Sequence, residues 1–379
     1  SVSSPMSRNG RVLVAMSGGV DSSVAAVMLA EQGYEVIGIT MKTWDYSSSG
    51  GKSHKETGCC TLESMNDARQ IALKHGFTHF IVDIREEFGD WVIDRFVGEY
   101  LAGRTPNPCV LCNTHIKWAA LLKRADNLGC EFIATGHYAN VREENGRFVI
   151  SRGKDANKDQ SYALWGVEQK HLARTRFPLG SWHKADIRQF AADHGLLNVA
   201  NKKDSYEICF VPDNNYRRFL KDRVPGLEQK VEGGNFVDKS GKVVGTHHGY
   251  PFYTIGQRRG LHLPMGTPVY VTAIDPETNT VTVGPEEDLL NTTCMAANVN
   301  FGKYARIPEE EMPVTGAIRY NDDGAPGFLT QTGDDELTIR FPEGRSAITP
   351  GQALVCYEGD DVIAGGWIRK VTEPAFIHV

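Results

Sequence analysis

Apolar and polar positions alternate in blocks along the first half of the chain. Val12 to Met16 is a short unbroken apolar run that reads as a buried strand, and Val24 to Ala30 reads as the helix after it. Glu35 to Met41 then reads as a strand, Leu62 to His75 as a helix, and Thr78 to Ile84 as a third strand. Glu86 to Ala102 and Asn113 to Leu128 carry helical spacing, and Glu131 to Thr135 is a further buried strand running into Gly136-His137. Such alternation predicts an α/β fold, a doubly wound parallel sheet whose ligands bind beyond the carboxyl ends of its strands. From about Asn215 the pattern changes. A basic segment, Arg217-Arg218-Phe219-Leu220-Lys221, leads into short strands punctuated by glycine such as Gly241 to Gly245, and helical periodicity does not return. Val269 to Ala273 and Thr280 to Val283 flank Ile274 to Asn279 as a hairpin, and Leu337 to Phe341, Ala353 to Tyr357 and Val362 to Ile368 alternate as strands do. The expected division is an α/β domain over 1–214, a small β-rich domain over 215–288 and a C-terminal β-barrel over 289–379.

The turn after the first strand, Ser17-Gly18-Gly19-Val20-Asp21-Ser22-Ser23, holds the first candidate chemistry. Glycines let the backbone approach a ligand, and free N–H groups at a helix start make an anion site with help from the helix dipole. The lysine of a Walker loop is missing. Asp21 adds a carboxylate that would repel phosphate unless it held Mg2+ or a backbone donor. The plainer reading is a serine-rich turn that only caps a helix. Ser47 to Lys52 reads as a mobile loop near this site.

Composition narrows the classes. The chain has 379 residues, of which 41% are hydrophobic, enough for two or three cores. It shows no apolar run long enough to span a bilayer and no signal-peptide centre in Ser1 to Gly10, so a soluble cytoplasmic protein is expected, or one of the mitochondrial matrix if a transit segment has been removed. A net charge of −6 argues against indiscriminate nucleic-acid binding but leaves room for a local basic surface. Arg217, Arg218, Lys221, Arg258 and Arg259 are candidate phosphate contacts, each weighed against an ordinary solvated charge. The eight cysteines are too sparse for a disulfide framework. Cys109-Val110-Leu111-Cys112 lies in a proline-stiffened segment between two helices, with Cys112 or Asn113 near a helix start. By itself the pair is a redox couple, half of a zinc site, or two unremarkable thiols. Cys209, near Lys202 and Lys203, is a second reactive candidate; Cys59-Cys60 read as structural ahead of resolving or metal thiols, and Cys130, Cys294 and Cys356 as core.

The loop resembles that of the ATP-pyrophosphatase (PP-loop) superfamily, which includes argininosuccinate, asparagine and GMP synthetases as well as tRNA-thiolating enzymes. Met16 to Ser22, Thr105-Pro106-Asn107-Pro108, Cys112-Asn113, Ala134-Thr135-Gly136-His137-Tyr138, Lys158-Asp159-Gln160-Ser161-Tyr162, Cys209-Phe210 and Thr254 to Gly260, taken in order, narrow the resemblance to the tRNA-specific 2-thiouridylase (MnmA) family and its mitochondrial counterparts. The resemblance implies ATP-dependent 2-thiolation of the wobble uridine (U34) in the anticodon loop of tRNA, by adenylation of O2 and transfer of sulfur to C2. ATP would be held by Ala15, Met16, Ser17, Gly18, Gly19, Val20, Asp21, Ser22, Met41 and Gly136, with Mg2+ at Asp21. Cys112 would be the nucleophile and Cys209 the persulfide carrier, loaded by a sulfur-relay protein or cysteine desulfurase, and a turnover would leave a Cys112–Cys209 disulfide. Asn107, Pro108 and Cys109 would meet the target base, and His137, Lys158, Asp159, Gln160, Arg319, Tyr320 and Gln352 the tRNA. A monomer without membrane attachment is expected. One position departs from the family: some members carry Asp where this chain has Cys109. Proton transfer by that Asp is then in doubt, and a third thiol opens a route to an iron–sulfur cluster, ranked below the persulfide. The rival functions are another PP-loop ligase or amidotransferase, which would not need Cys112 and Cys209, and a noncatalytic redox module that binds ATP and RNA.

Overall fold

The computed structural model describes residues 9–43, 62–196, 210–211 and 213–372. In chain order the first elements are β1 (Arg11–Ala15), α1 (Val20–Glu31), β2 (Glu35–Lys42), α2 (Leu62–His75), β3 (Thr78–Asp83) and α3 (Arg85–Phe88). A π-helical turn, Gly89–Ile93, leads to α4 (Asp94–Leu101); then follow α5 (Pro108–Cys112), a second π-helical turn, Asn113–Lys117, and α6 (Trp118–Asn127). Next come β4 (Phe132–Ala134), β5 (Ala139–Glu144), β6 (Arg147–Arg152), α7 (Gln169–Leu172), β7 (Thr175–Arg176) and α8 (Lys184–Asp193).

The chain forms two compact units, one of Ser1–Val92, Cys109–Asn214 and Asp360–Val362, the other of Ile93–Pro108, Asn215–Gly359 and Ile363–Val379. The first unit is built on a parallel sheet in the order β3-β2-β1-β4-β7. Val12 sits between Val36 on one side and Phe132 on the other, so β1 is central. Its residues Val12, Leu13 and Val14 are fully buried, which is why this strand reads as a continuous apolar run rather than an alternating one. The strand order turns at β1: β2 and β3 lie to one side, β4 and β7 to the other, and the crevice at such a switch point is where ligands of open α/β sheets bind. Helices α1 and α8 share a core cluster in which Val24, Ala25, Val27 and Met28 meet Ile187 and Ala191.

In the second unit, α9 (Tyr216–Arg223) and α10 (Leu227–Val231) precede the strands β8 (Gly234–Val237), β9 (Val243–His247), β10 (Tyr270–Asp275) and β11 (Thr280–Gly284), which pair in the order β10-β11-β8-β9. The expectation that helical periodicity ends near Asn215 is therefore wrong. Asn215 caps α9 by accepting from the Arg218 N–H at 3.0 Å, and Phe219 and Leu220 are its buried face. Only two apolar residues are buried on this short helix, too few to stand out among its arginines. It packs by aromatic pairs, Tyr216 stacked on Tyr100 at 4.6 Å and Phe219 edge-on to Phe96. The last strands, β12 (Leu290–Phe301), β13 (Met312–Ala317), β14 (Ala325–Gly333), β15 (Glu336–Ser346), β16 (Ala353–Glu358) and β17 (Asp361–Thr372), run in the order β12-β15-β14-β13-β16-β17, and β17 pairs back to β12 to close a barrel. Closure removes the exposed edges that an open sheet of this length would present. No helix among the described residues is long and apolar enough to cross a membrane.

Candidate nucleotide site and thiol helix

The loop after β1 is anchored before it turns. The Met16 N–H donates to Ile39 O at 2.8 Å, extending the ladder by one residue, and the Thr40 hydroxyl donates to Met16 O at 2.8 Å. Gly18 then takes a φ of +80°, and a Cβ there would lie 2.2 Å from the Ser64 carbonyl oxygen, so both conformation and space demand glycine. Serine side chains brace the turn: Ser22 Oγ accepts from Ser17 N–H at 3.0 Å and lies 3.2 Å from Ser17 Oγ, while Ser23 Oγ donates to Gly19 O at 2.7 Å. Helix α1 begins at Val20, and the first N–H groups of a helix have no partner within it. A glycine turn feeding that helix start is an anion cradle.

Asp21 lies in the first turn of α1, and its charge is answered by side chains rather than by a backbone donor. Lys184 Nζ and the Tyr138 hydroxyl each donate to Asp21 Oδ1 at 2.7 Å. Neither bond was foreseen. Tyr138 lay inside a matched motif, but Lys184 stands 163 residues away, and its one local signal is a lysine opening a helix, the unfavourable end for a cation.

Met41 ends near the carboxyl edge of β2, and Gly136 follows β4, so both join the loop at the carboxyl edge of three adjacent strands. A Cβ on Gly136 would lie 2.7 Å from the Ser22 nitrogen, which accounts for the glycine and sets this backbone against the helix start. His137 is partly buried against Trp118 and Phe177, its Nδ1 is 2.6 Å from Thr135 Oγ1, and burial pushes its pKa well down, which favours the neutral ring.

The two cysteines of the C-x-x-C do not sit in a loop. Helix α5 starts at Pro108, which suits a first helical position because the missing N–H would be unsatisfied there anyway, and it carries exposed Cys109 and half-buried Cys112. The expected helix start near Cys112 is thus four residues too late. Contacts tie this helix to the nucleotide loop. Asn113 Nδ2 donates to Ala163 O at 3.2 Å; Gln160, just before that segment, exchanges 2.9 Å bonds with the Tyr138 backbone; and Tyr138 holds Asp21.

Other expected contacts are engaged inside the protein. Asp159 Oδ1 accepts from the N–H groups of Gly153 and Ser161, and Lys158 N–H donates to Asp155 O. Arg319 Nη2 donates to Ser346 O at 2.6 Å. Gln352 Nε2 donates to Thr105 O at 2.7 Å, and the Thr105 N–H donates to Pro350 O, fastening the segment that carries Asn107. Tyr320 is partly buried. Among the basic candidates, Arg217 donates to Phe252 O, Arg218 pairs with Asp222 and Lys221 with Glu228, whereas Arg258 and Arg259 are exposed. Cys59, Cys60, Lys202, Lys203, Cys209 and the Ser47 to Lys52 loop lie outside the described residues. Among the described residues no group of three or more His, Cys, Asp or Glu is placed to hold a metal.

Three family models match in sequence: "tRNA methyl transferase HUP domain" over residues 10–213, "tRNA methyl transferase PRC-barrel domain" over 217–285 and "Aminomethyltransferase beta-barrel domain" over 291–368. Relatives bear a different activity in their names. The chain is 66% identical over 97% of its length to a protein of Salinibacter ruber, of which it covers 96%, and 62% identical over 96% of its length to one of Cytophaga hutchinsonii, of which it covers 99%. A third, from Amoebophilus asiaticus, is 59% identical over 97% of this chain and 98% of its own. All three are named tRNA-specific 2-thiouridylase MnmA. With identity at this level from end to end, the chain belongs to the tRNA-specific 2-thiouridylase (MnmA) family.

Proposed function

We propose that the protein uses ATP to replace O2 of the wobble uridine of tRNA by sulfur. The observation that carries this reading is the anion cradle at the start of α1, linked through Tyr138, Gln160 and Asn113 to the helix bearing Cys112. Sequence identity with named thiouridylases supports sulfur rather than methyl transfer, despite the wording of the family models. Uridine O2 is a poor leaving group. Its attack on the α-phosphate of ATP releases pyrophosphate and converts it into one that departs as AMP. Helix N–H groups of the cradle stabilise charge on the phosphates. The terminal sulfur of a Cys209 persulfide attacks C2, expelling AMP; the Cys112 thiolate then attacks the Cys209 sulfur, leaving C2–S on the base and a Cys112–Cys209 disulfide. A dithiol reductant restores both thiols, and a persulfide-donating protein reloads Cys209.

Mg2+ takes one or two carboxylates plus substrate phosphates. Asp21 fits such a site, since both of its donors occupy Oδ1 and leave Oδ2 to a cation. When bound, the ion would neutralise phosphate charge. The remaining ATP contacts (Ala15 to Ser22, Met41, Gly136), the base contacts (Asn107, Pro108, Cys109) and the tRNA contacts named above belong to the same reading, as do the three-domain division and a cytoplasmic monomer. The test is incubation with unmodified tRNA, Mg-ATP and a persulfide source, followed by nucleoside mass spectrometry. Formation of 2-thiouridine that is lost in Cys112→Ser and in Cys209→Ser is the expected result. Thiolation from free sulfide that survives Cys209→Ser but needs Cys109 would replace the persulfide route by a cluster.

A further inference from the structure

The segment that carries Asn107 has little with which to hold itself. Residues 104–107 belong to no helix or strand, and Pro106 and Pro108 have no N–H to donate, so the stretch cannot form a continuous ladder. It is fixed by its neighbours instead. Arg104 makes two 2.9 Å bonds to the Glu99 carboxylate on α4, and its N–H donates to Glu99 O at 2.9 Å. At the next residue a single turn of the barrel takes both backbone groups: the Thr105 N–H donates to Pro350 O at 3.0 Å, and Gln352 Nε2 donates to Thr105 O at 2.7 Å. Between Pro350 and Gln352, Gly351 takes a φ of +96°, and a Cβ there would lie 2.7 Å from Thr105 O and 2.9 Å from Thr105 N. Glycine is what lets the turn come so close. The turn itself is anchored, because the Gly351 N–H donates to Ile368 O and the Ile368 N–H to Gln352 O, each at 2.9 Å, and Ile368 is fully buried in the barrel core. All of these residues belong to the second unit.

We propose that Gln352 is a positioning residue for thiolation: by holding the Thr105 carbonyl it sets where Asn107 and Pro108 meet the target uridine. The inference rests on the reading of this segment as the place of the target base. A carboxamide has two N–H groups, so one can hold Thr105 while the other meets the tRNA. The two roles separate in kinetics. A displaced base reacts slowly even when the tRNA is fully bound, whereas a lost contact to the tRNA weakens binding.

The test is Gln352→Met, which keeps the size of the side chain and removes its polar end. On the full chain with unmodified tRNA, Mg-ATP and a persulfide source, the rate at saturating tRNA should fall roughly ten- to a hundredfold. The tRNA Kd, measured without ATP, should rise by no more than about fivefold, the effect of one neutral hydrogen bond. Hydrogen exchange should quicken in the peptide covering 104–107 and stay unchanged in β13 to β16, a pattern that general loosening of the barrel would not give. A loss confined to Kd, with the saturated rate intact, would make Gln352 a tRNA contact and nothing more. An unchanged rate and Kd would reduce the bond to Thr105 to a structural one. Should Gln352→Met fold poorly, Gln352→Asn, one methylene short of Thr105 O, must show the same split. If the wild-type protein forms no 2-thiouridine, the proposed reaction falls and this inference with it. If it does, and Gln352→Met keeps pace with it, only this inference falls.

Discussion

In the barrel, Cys294 and Cys356 are fully buried among Ile339, Leu354 and Ile363, and burial pushes the Cys294 thiol up to about 12 and that of Cys356 higher still. In the α/β unit, Cys109 is exposed and Cys112 half-buried on a short helix tied by Asn113 to the segment that braces Tyr138. Cys130 shows that the unit alone does not decide. It lies at the opposite, amino end of β4, is buried, and is raised to about 11 by desolvation. One residue type thus serves as packing in the barrel and at the amino edge of the sheet, and as candidate chemistry on α5. Position relative to the core sets the difference.

The sharpest break of that comparison is functional. Cys112→Ser should bring thiolation to background, a loss of about a thousandfold or more if the thiol is the nucleophile, while Cys356→Ala should leave the rate per folded molecule unchanged. Nucleoside mass spectrometry on both variants decides; residual thiolation in Cys112→Ser would transfer the role to Cys109. Labelling comes next. Against an ordinary thiol value of 9.0, a thiol at about 12 carries about a thousandfold less thiolate, before any loss of access. Alkylation at pH 8 should mark Cys109 and Cys112 and spare Cys130, Cys294 and Cys356; early modification of Cys294 would mean that the barrel opens. A smaller effect is expected for Cys356→Ser, which places a hydroxyl in an apolar core and should destabilise the barrel by about 1–3 kcal/mol, read by denaturant unfolding.

The two regions also differed in how legible they were. The nucleotide loop is local, so its strand, glycine turn and helix start could be read from adjacent residues. The barrel strands were visible through their alternation, as Leu337, Ile339 and Phe341 facing one core show. Two further features carry signals in the sequence: Asn145-Gly146 is a hairpin turn with both residues at positive φ joining β5 to β6, and Asn215 caps α9. Lys184 had almost none. Its meaning comes from the packing of α8 on α1, a contact between segments far apart in the chain that no local pattern encodes.

Histidine carries the comparison to its smallest expected effect. The barrel residues 290–372 hold no histidine, whereas the α/β unit holds His75, His79, His137 and His171, all lowered from 6.5 chiefly by desolvation. Two of these rings meet hydroxyls: Thr40 Oγ1 lies 2.8 Å from His79 Nε2, and Thr135 Oγ1 lies 2.6 Å from His137 Nδ1. The sign of the linkage follows. Above about pH 6.5 these rings are neutral whether the chain is folded or not, and stability does not respond. Below it the unfolded chain takes up protons that the folded unit refuses, so stability falls with pH by up to about 1.4 kcal/mol per unit for each proton fully excluded, and less for the more exposed His75 and His171. Asp83, held near 2 by Arg85, and Asp155, lowered by the Lys184 N–H, titrate below this window. Hydrogen exchange between pH 6.5 and 5 should therefore show amides of β1 to β4 losing protection, after correction for intrinsic rates, while β12 to β17 keep theirs. His137→Gln, which cannot take up the proton in either state, should remove part of that acid response, and an unchanged response would show that the His137 ring is protonated in the folded protein.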